Sequence, residues 1–152
     1  MTESKYIWMD GEFTPWNEAK VHVLSHTLHY GNGAIEGTKA YKTVDGRCAI
    51  FKLNEHTQRL LNSSKMTLMN VPFSLEKLNK AQVELLQKNE LTNGAYIRPL
   101  VYLGYGVMGL YHKDAPVKVS ISAWEWGAYL GEDGLKKGVR VKISSFTRTP
   151  NT

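Results

Sequence analysis

Apolar and polar residues alternate with a period of two toward the end of the chain. Val117, Val119 and Ile121 stand against Lys118, Ser120 and Ser122, and Val139, Val141 and Ile143 against Arg140, Lys142 and Ser144. That period predicts half-buried strands over 117–126 and 139–146. Ala95 to Tyr105 is rich in β-branched and aromatic residues and predicts a further strand. Upstream the period changes: Leu78, Ala81, Leu85 and Leu86 recur at helical spacing up to about Asn89. Ser74 is the expected N-cap of that helix, Glu76 suits its dipole, and Asn93-Gly94 is expected to close it. An earlier helix is expected from Glu55 to about Leu68, with Asn54 as N-cap and Leu60, Leu61 and Ser64 on one side, ended by Pro72.

The first third of the chain reads as hairpins. Asp10-Gly11 lies between Tyr6–Met9 and Glu12–Thr14, a strong turn signal, and Pro15 ends regular pairing. Ser25 to Tyr30 predicts a short helical turn broken by Gly31-Asn32-Gly33. Ala34 to Thr43 and Cys48 to Leu53 predict a second hairpin about Val44-Asp45-Gly46-Arg47. Gly134 to Lys137 predicts one helical turn. Strands, then two helices, then strands imply an α+β domain: an antiparallel sheet with two helices packed against it. The last residues, Arg148 to Thr152, follow a predicted strand with no closing helix, so the chain is expected to be part of something longer.

Composition narrows the classes. The chain has 152 residues, 42% hydrophobic and 22% charged, which suits one globular domain with a core. The net charge is +5, but Lys and Arg are interleaved with Asp and Glu, which argues against nucleic acid and leaves room for anionic small molecules. Cys48 is the only cysteine, in an expected strand, and fits a reducing cytoplasm and a core role. The N-terminus lacks the apolar stretch of an export signal, and no apolar run approaches a membrane span.

General motifs carry little chemistry. Gly104-x-Gly106-x-x-Gly109 has the spacing of a dinucleotide fingerprint but opens no clear helix, so a flexible loop between strands is the better reading. His22, His26 and His29 cluster without a cysteine or a suitably spaced acid, so packing and hydrogen bonding are expected rather than a metal. Glu36 has no second carboxylate to make a glycosidase pair. Tyr96 and Arg98 share one face of a strand, where a guanidinium beside a phenol suits a carboxylate. On spacing alone, a surface arginine beside a packed tyrosine is the plainer reading. Arg59, in a helix, suits a phosphate or a local carboxylate.

Taken together, the segments resemble the branched-chain amino-acid aminotransferases, in the fold-type IV group of pyridoxal-phosphate enzymes. The resemblance runs in order through Tyr6-Ile7-Trp8, Ala19 to Val23, Ser25 to Gly31, Glu36 to Tyr41, His56 to Leu60, Ala95 to Leu100, Gly106 to Gly109 and Ala123 to Gly131. Each match is weak alone; their ordered succession is specific. It implies the N-terminal domain of such an enzyme, reversibly moving an amino group between leucine, isoleucine or valine and 2-oxoglutarate. Arg59 matches the arginine that binds the phosphate of pyridoxal 5'-phosphate. Tyr96 and Arg98 match the substrate site, where Arg98 would grip the distal carboxylate of glutamate, helped by Tyr30 and Tyr129. Tyr30, Ile35, Trp126 and Tyr129 match the wall around the aliphatic side chain, with Gly37 in the same strand segment. Met108 and Leu110 match a loop reaching the neighbouring subunit's site, which implies a homodimer or larger assembly. Many relatives carry phenylalanine at Ile35, so the preference among branched-chain substrates stays open.

The resemblance also implies what these residues do not supply. The lysine that forms the Schiff base falls shortly after the segment matching Asn151-Thr152, and neither Lys20 nor Lys39 matches it. The acid that holds the ring nitrogen protonated belongs to the C-terminal, cofactor-binding domain. The 152 residues are therefore expected to be inactive alone. Two other readings stand beside this one: a D-amino-acid aminotransferase or aminodeoxychorismate lyase of the same group, and a non-catalytic remnant that binds a partner.

Overall fold

The structure, a computed structural model, describes residues 2–126, 134 and 136–147. Through residue 126, strands and helices follow in the order β1 (Tyr6–Met9), β2 (Glu12–Pro15), α1 (His26–Tyr30), β3 (Gly33–Ile35), β4 (Thr38–Lys42), β5 (Cys48–Ile50), α2 (Leu53–Met66), α3 (Leu75–Lys88), β6 (Gly94–Leu103) and β7 (Val117–Trp124). A turn of 3-10 helix, Trp16–Glu18, follows β2. The strands form one sheet in the order β2-β1-β7-β6-β4-β5, with β3 also on β6, and every pairing is antiparallel. The expected α+β class, with α2 and α3 on one face of an antiparallel sheet, is what the chain adopts.

The first hairpin turns at Asp10-Gly11, whose φ angles of 49° and 110° are both positive, as a tight hairpin of this twist requires. The segment read as one strand from Ala34 to Thr43 is two. Ile35 faces Leu100 and Thr38 faces Ile97, so the register is kept across the gap. At the gap the Glu36 amide donates to the Pro99 carbonyl (3.0 Å), and Pro99 has no N–H to return. Pairing is one-sided there, and regular strand lapses at Glu36-Gly37.

The helix boundaries also shift. α2 begins at Leu53, so β5 ends before Phe51 and Asn54 is inside the helix rather than its cap. Its N-cap is Lys52, with φ 52°, and Asn54 instead accepts from Asn79 of α3 (3.2 Å). Ser74 caps α3 as expected, accepting from the Lys77 amide (3.2 Å). That helix closes at Asn89, ahead of Asn93-Gly94, because Glu90 itself takes a left-handed φ of 56°. Gly134, Lys136 and Lys137 are helical, and the Gly138 amide donates to the Gly134 carbonyl (3.0 Å). The strand expected over 139–146 does not form: Val141, Ile143 and Phe146 are exposed, without a partner strand or apolar surface among the described residues.

The core lies between the sheet and the two long helices. Ala95, Ile97, Val101 and Leu103 of β6 and Val119, Ile121 and Ala123 of β7 point into it, to meet Leu60 of α2 and Leu78, Ala81 and Leu85 of α3. Trp8 is buried there, edge-on to Phe73 at 5.0 Å. Each large apolar side chain contributes roughly 1.5–3 kcal/mol by leaving water. Gln82 donates to Thr57 (2.9 Å), linking the helices through a buried polar pair.

Asn89 ties α3 to the first strand. Its Oδ1 accepts from the Lys5 and Tyr6 amides (2.9 and 2.8 Å), and its Nδ2 donates to the Tyr6 carbonyl (3.0 Å). Asn89→Ala leaves those backbone groups unpaired and is expected to cost about 1–3 kcal/mol. The urea midpoint should fall with the slope unchanged.

Candidate functional site

Residues of β6 alternate between two faces. Ala95, Ile97 and Val101 are buried under the helices, which turns Tyr96, Arg98 and Leu100 to the opposite, open face. Cross-strand pairing sets Trp124 beside Tyr96 and Ser122 beside Arg98. Arg98 Nη2 donates to the Tyr96 hydroxyl (2.8 Å), and the guanidinium carbon lies 5.1 Å from that ring's centroid. Trp124 and Trp126 approach the Tyr96 ring at 5.2 and 4.6 Å. The result is a cation fixed against an aromatic wall. Arg98 Nε is buried and has no partner among the described residues. A donor left in that state is suited to an anion.

Gly37 stands next to Arg98 across the strand gap. A Cβ there would overlap the Tyr96 hydroxyl oxygen. Its backbone has no unusual φ, so glycine is required here by space alone.

The neighbouring residue, Glu36, points to the helix side and is 6% exposed. Arg59 of α2 grips it with two parallel bonds, Nε to Oε1 (2.5 Å) and Nη2 to Oε2 (2.8 Å). His56, one turn earlier, places Nδ1 2.8 Å from Oε2. This fork holds Arg59, whose side chain is 65% exposed, with its second terminal nitrogen outside the pair. Burial pushes the Glu36 carboxyl upward, but hydrogen bonds and charge from Arg59 and His56 outweigh it and hold it below its ordinary 4.5. Arg59 is in turn raised, by the hydrogen bond and then the charge of Glu36.

Tyr30, Ile35, Met108 and Leu110 form a third group, all exposed. Ile35 faces Leu100 and so lies on the open face. Tyr30 meets the loop after β6, where its hydroxyl accepts from the Gly109 amide (3.0 Å). Tyr129 lies outside the described residues.

Thus Tyr96, Arg98, Gly37 and Trp126 come together, Tyr30 joins the loop of Met108 and Leu110, and Arg59 is held on the helix side of the sheet by Glu36. The resemblance pointed to Arg59 without its partners. Glu36 and His56 were both inside matched segments, and a lone acid in an apolar strand was the available signal. A groove of about 630 Å³ between β5 and α3 contains none of these residues. An open cleft of about 390 Å³ is lined by Trp126, Lys39 and Lys42. No group of three metal-ligating side chains occurs among the described residues, and none of their helices is long and apolar enough to cross a membrane.

An aromatic wall with a fixed guanidinium stands on the open face of an antiparallel sheet backed by helices, a combination whose chemistry suits an anion beside apolar groups. Residues 33–152 match the class IV amino-transferase family, and the chain belongs to that family. It is 48% identical over 142 residues to the branched-chain-amino-acid aminotransferase of Pseudomonas aeruginosa, covering 93% of this chain and 46% of that protein. The crystal structure of the Escherichia coli branched-chain amino acid aminotransferase superposes with a TM-score of 0.90 at 41% identity, over 99% of this chain and 49% of that one. The branched-chain enzyme of T.th., complexed with N-(5'-phosphopyridoxyl)-L-glutamate, gives 0.77 at 41% identity, over 83% of this chain and 42% of that one. The chain therefore spans about half the length of the relatives it matches.

The Glu36–Arg59 pair makes stability depend on acid. A carboxylate held below its unfolded value contributes stability above that value and loses it as pH falls through the folded one. The melting temperature is expected to drop as pH falls below 4.5, and Glu36→Gln to flatten that part of the profile. Thermal unfolding across the acid range checks both.

Proposed function

We propose that this chain is the N-terminal domain of a pyridoxal-phosphate-dependent branched-chain amino-acid aminotransferase, exchanging an amino group between leucine, isoleucine or valine and 2-oxoglutarate. The observation that carries this reading is the Tyr96–Arg98 pair, fixed against Trp124 and Trp126 beside the space kept open by Gly37. Such a transaminase has to accept an aliphatic side chain and the acidic one of glutamate in one place. Ring faces and Ile35 offer apolar surface, while the guanidinium and tyrosine hydroxyls serve a carboxylate. The glutamate conjugate bound by the T.th. relative is in keeping with this.

The residues present also suit the cofactor's phosphate. Arg59 is exposed, and Glu36 and His56 engage its Nε and Nη2, so Nη1, without a partner among the described residues, is available to an anion. Pyridoxal phosphate, when bound, supplies an electron-accepting ring that eases loss of the amino acid's Cα proton. This chain's share is placement: Arg59 for the phosphate, Arg98 with Tyr30, Tyr96 and Tyr129 for the distal carboxylate. Ile35 and Trp126 complete the side-chain wall, while Met108 and Leu110 wall the site of the neighbouring subunit. The Schiff-base lysine and the partner of the ring nitrogen would come from a second domain, and Met108 and Leu110 would meet a second subunit in a homodimer. We place the enzyme in the cytoplasm.

Two outcomes test the reading. In the complete enzyme, Arg98→Gln should raise KM for glutamate and 2-oxoglutarate roughly tenfold to a hundredfold, as loss of a charge-assisted contact implies. Leucine should be much less affected; equal losses for both substrate classes would sink the assignment. Separately, these 152 residues alone should give no turnover with leucine, 2-oxoglutarate and pyridoxal phosphate, because none of their lysines matches the Schiff-base position. Turnover of D-amino acids by the complete enzyme, without turnover of leucine, would favour the D-specific members of the fold group.

A further inference from the structure

Helix α1 and its C-terminal cap hold the loop after β6 at its start, at its middle and a few residues beyond. The His26 amide donates to the Gly104 carbonyl (3.1 Å), at the start. Beyond the left-handed cap at Gly31, Asn32 Nδ2 and His112 Nε2 lie 3.2 Å apart, past the middle. The middle is held most tightly. Gly109 has both its backbone polar groups engaged: its amide by the Tyr30 hydroxyl (3.0 Å), and its carbonyl by His26 Nε2 (2.8 Å). A carbonyl only accepts, so Nε2 is the donor. His26 is 2% exposed and lies against the Tyr30 ring at 4.4 Å, so the two contacts form one unit.

Gly109 takes a φ of 103°, in the region that favours glycine, and its neighbours Met108 and Leu110 are 46% and 87% exposed. Fixing a residue by both its N–H and its C=O fixes the peptide planes on either side of it. Those planes carry the Cα–Cβ directions of Met108 and Leu110.

We propose that His26 is a positioning residue for substrate selectivity, which with Tyr30 pins Gly109 and so sets where Met108 and Leu110 stand. This rests on the aminotransferase reading, in which those two side chains wall the substrate of the neighbouring subunit. His26 touches no substrate; it acts through the loop. A wall displaced by a fraction of a methylene changes the choice among leucine, isoleucine and valine more than it changes the chemistry.

The test uses the complete enzyme with its cofactor. His26→Leu should change the ratio of kcat/KM for leucine to that for valine by about threefold to tenfold, mainly through KM. His26→Gln, which keeps an N–H donor near the position of Nε2, should restore the ratio. Hydrogen exchange at the Gly109 amide should quicken in His26→Leu and in Tyr30→Phe, and stay slow in His26→Gln. If His26→Leu fails to fold, His26→Asn, whose shorter amide does not reach the Gly109 carbonyl, carries the same expectation. Faster exchange with an unchanged ratio overturns the selectivity role, and unchanged exchange overturns the clamp. A wild-type enzyme inactive on all three branched-chain amino acids would overturn the substrate reading and the selectivity claim with it, while the exchange data still decide the clamp.

Discussion

Strand β6 is paired along both edges, to β7 on one side and to β3 and β4 on the other, and its side chains serve two different environments. Ala95, Ile97 and Val101 enter the core; Tyr96 and Arg98 leave it. A period of two makes this separation obligatory, because a register slip of one residue would put Arg98 under the helices and Ile97 in the site. Burial of the apolar set therefore fixes the aim of the polar set. The pairing with β7 does the same for Trp124, which arrives beside Tyr96 because Ala123 and Ile121 have to be buried.

The two layers communicate where the sheet is least regular. Pro99 cannot complete its pairing with Glu36, and regular strand is interrupted for the length of Glu36-Gly37. These adjacent residues face opposite ways. Glu36 turns toward α2 and orders Arg59, while Gly37 clears space on the open face for the Tyr96 hydroxyl. On the proposed reading, one irregularity thus sets both the phosphate-binding arginine and the carboxylate-binding pair.

Much of this was legible in the sequence. The alternation of Val117 to Ser122, the helical spacing of Leu78 to Leu86 and the Asp10-Gly11 turn each stated a local preference that the tertiary structure also rewards. The misreadings share another cause. Asn54 is a good cap by chemistry, but Lys52 in a left-handed conformation starts the helix sooner, and residue preference does not fix a boundary against that. Val139 to Phe146 has the strand period, yet a strand needs a partner edge, which periodicity does not provide. For the site, the family resemblance supplied Arg59, Tyr96 and Arg98. Glu36, His56 and His26 act through contacts between residues distant in the chain, and no spacing reveals those.

On the proposed reading, the division of faces also separates stability from selectivity. Trp124, Arg98 and Ile35 lie outside the core between sheet and helices, so their replacement leaves most of the buried apolar surface untouched. Gly37 is the exception on the open face. Any side chain there would displace the Tyr96 ring, and with it the acceptor that holds Arg98. On the proposed reading, substrate preference can therefore drift at Ile35, while the Gly37–Tyr96–Arg98 unit has to change together or not at all. That coupling follows from contact distance alone.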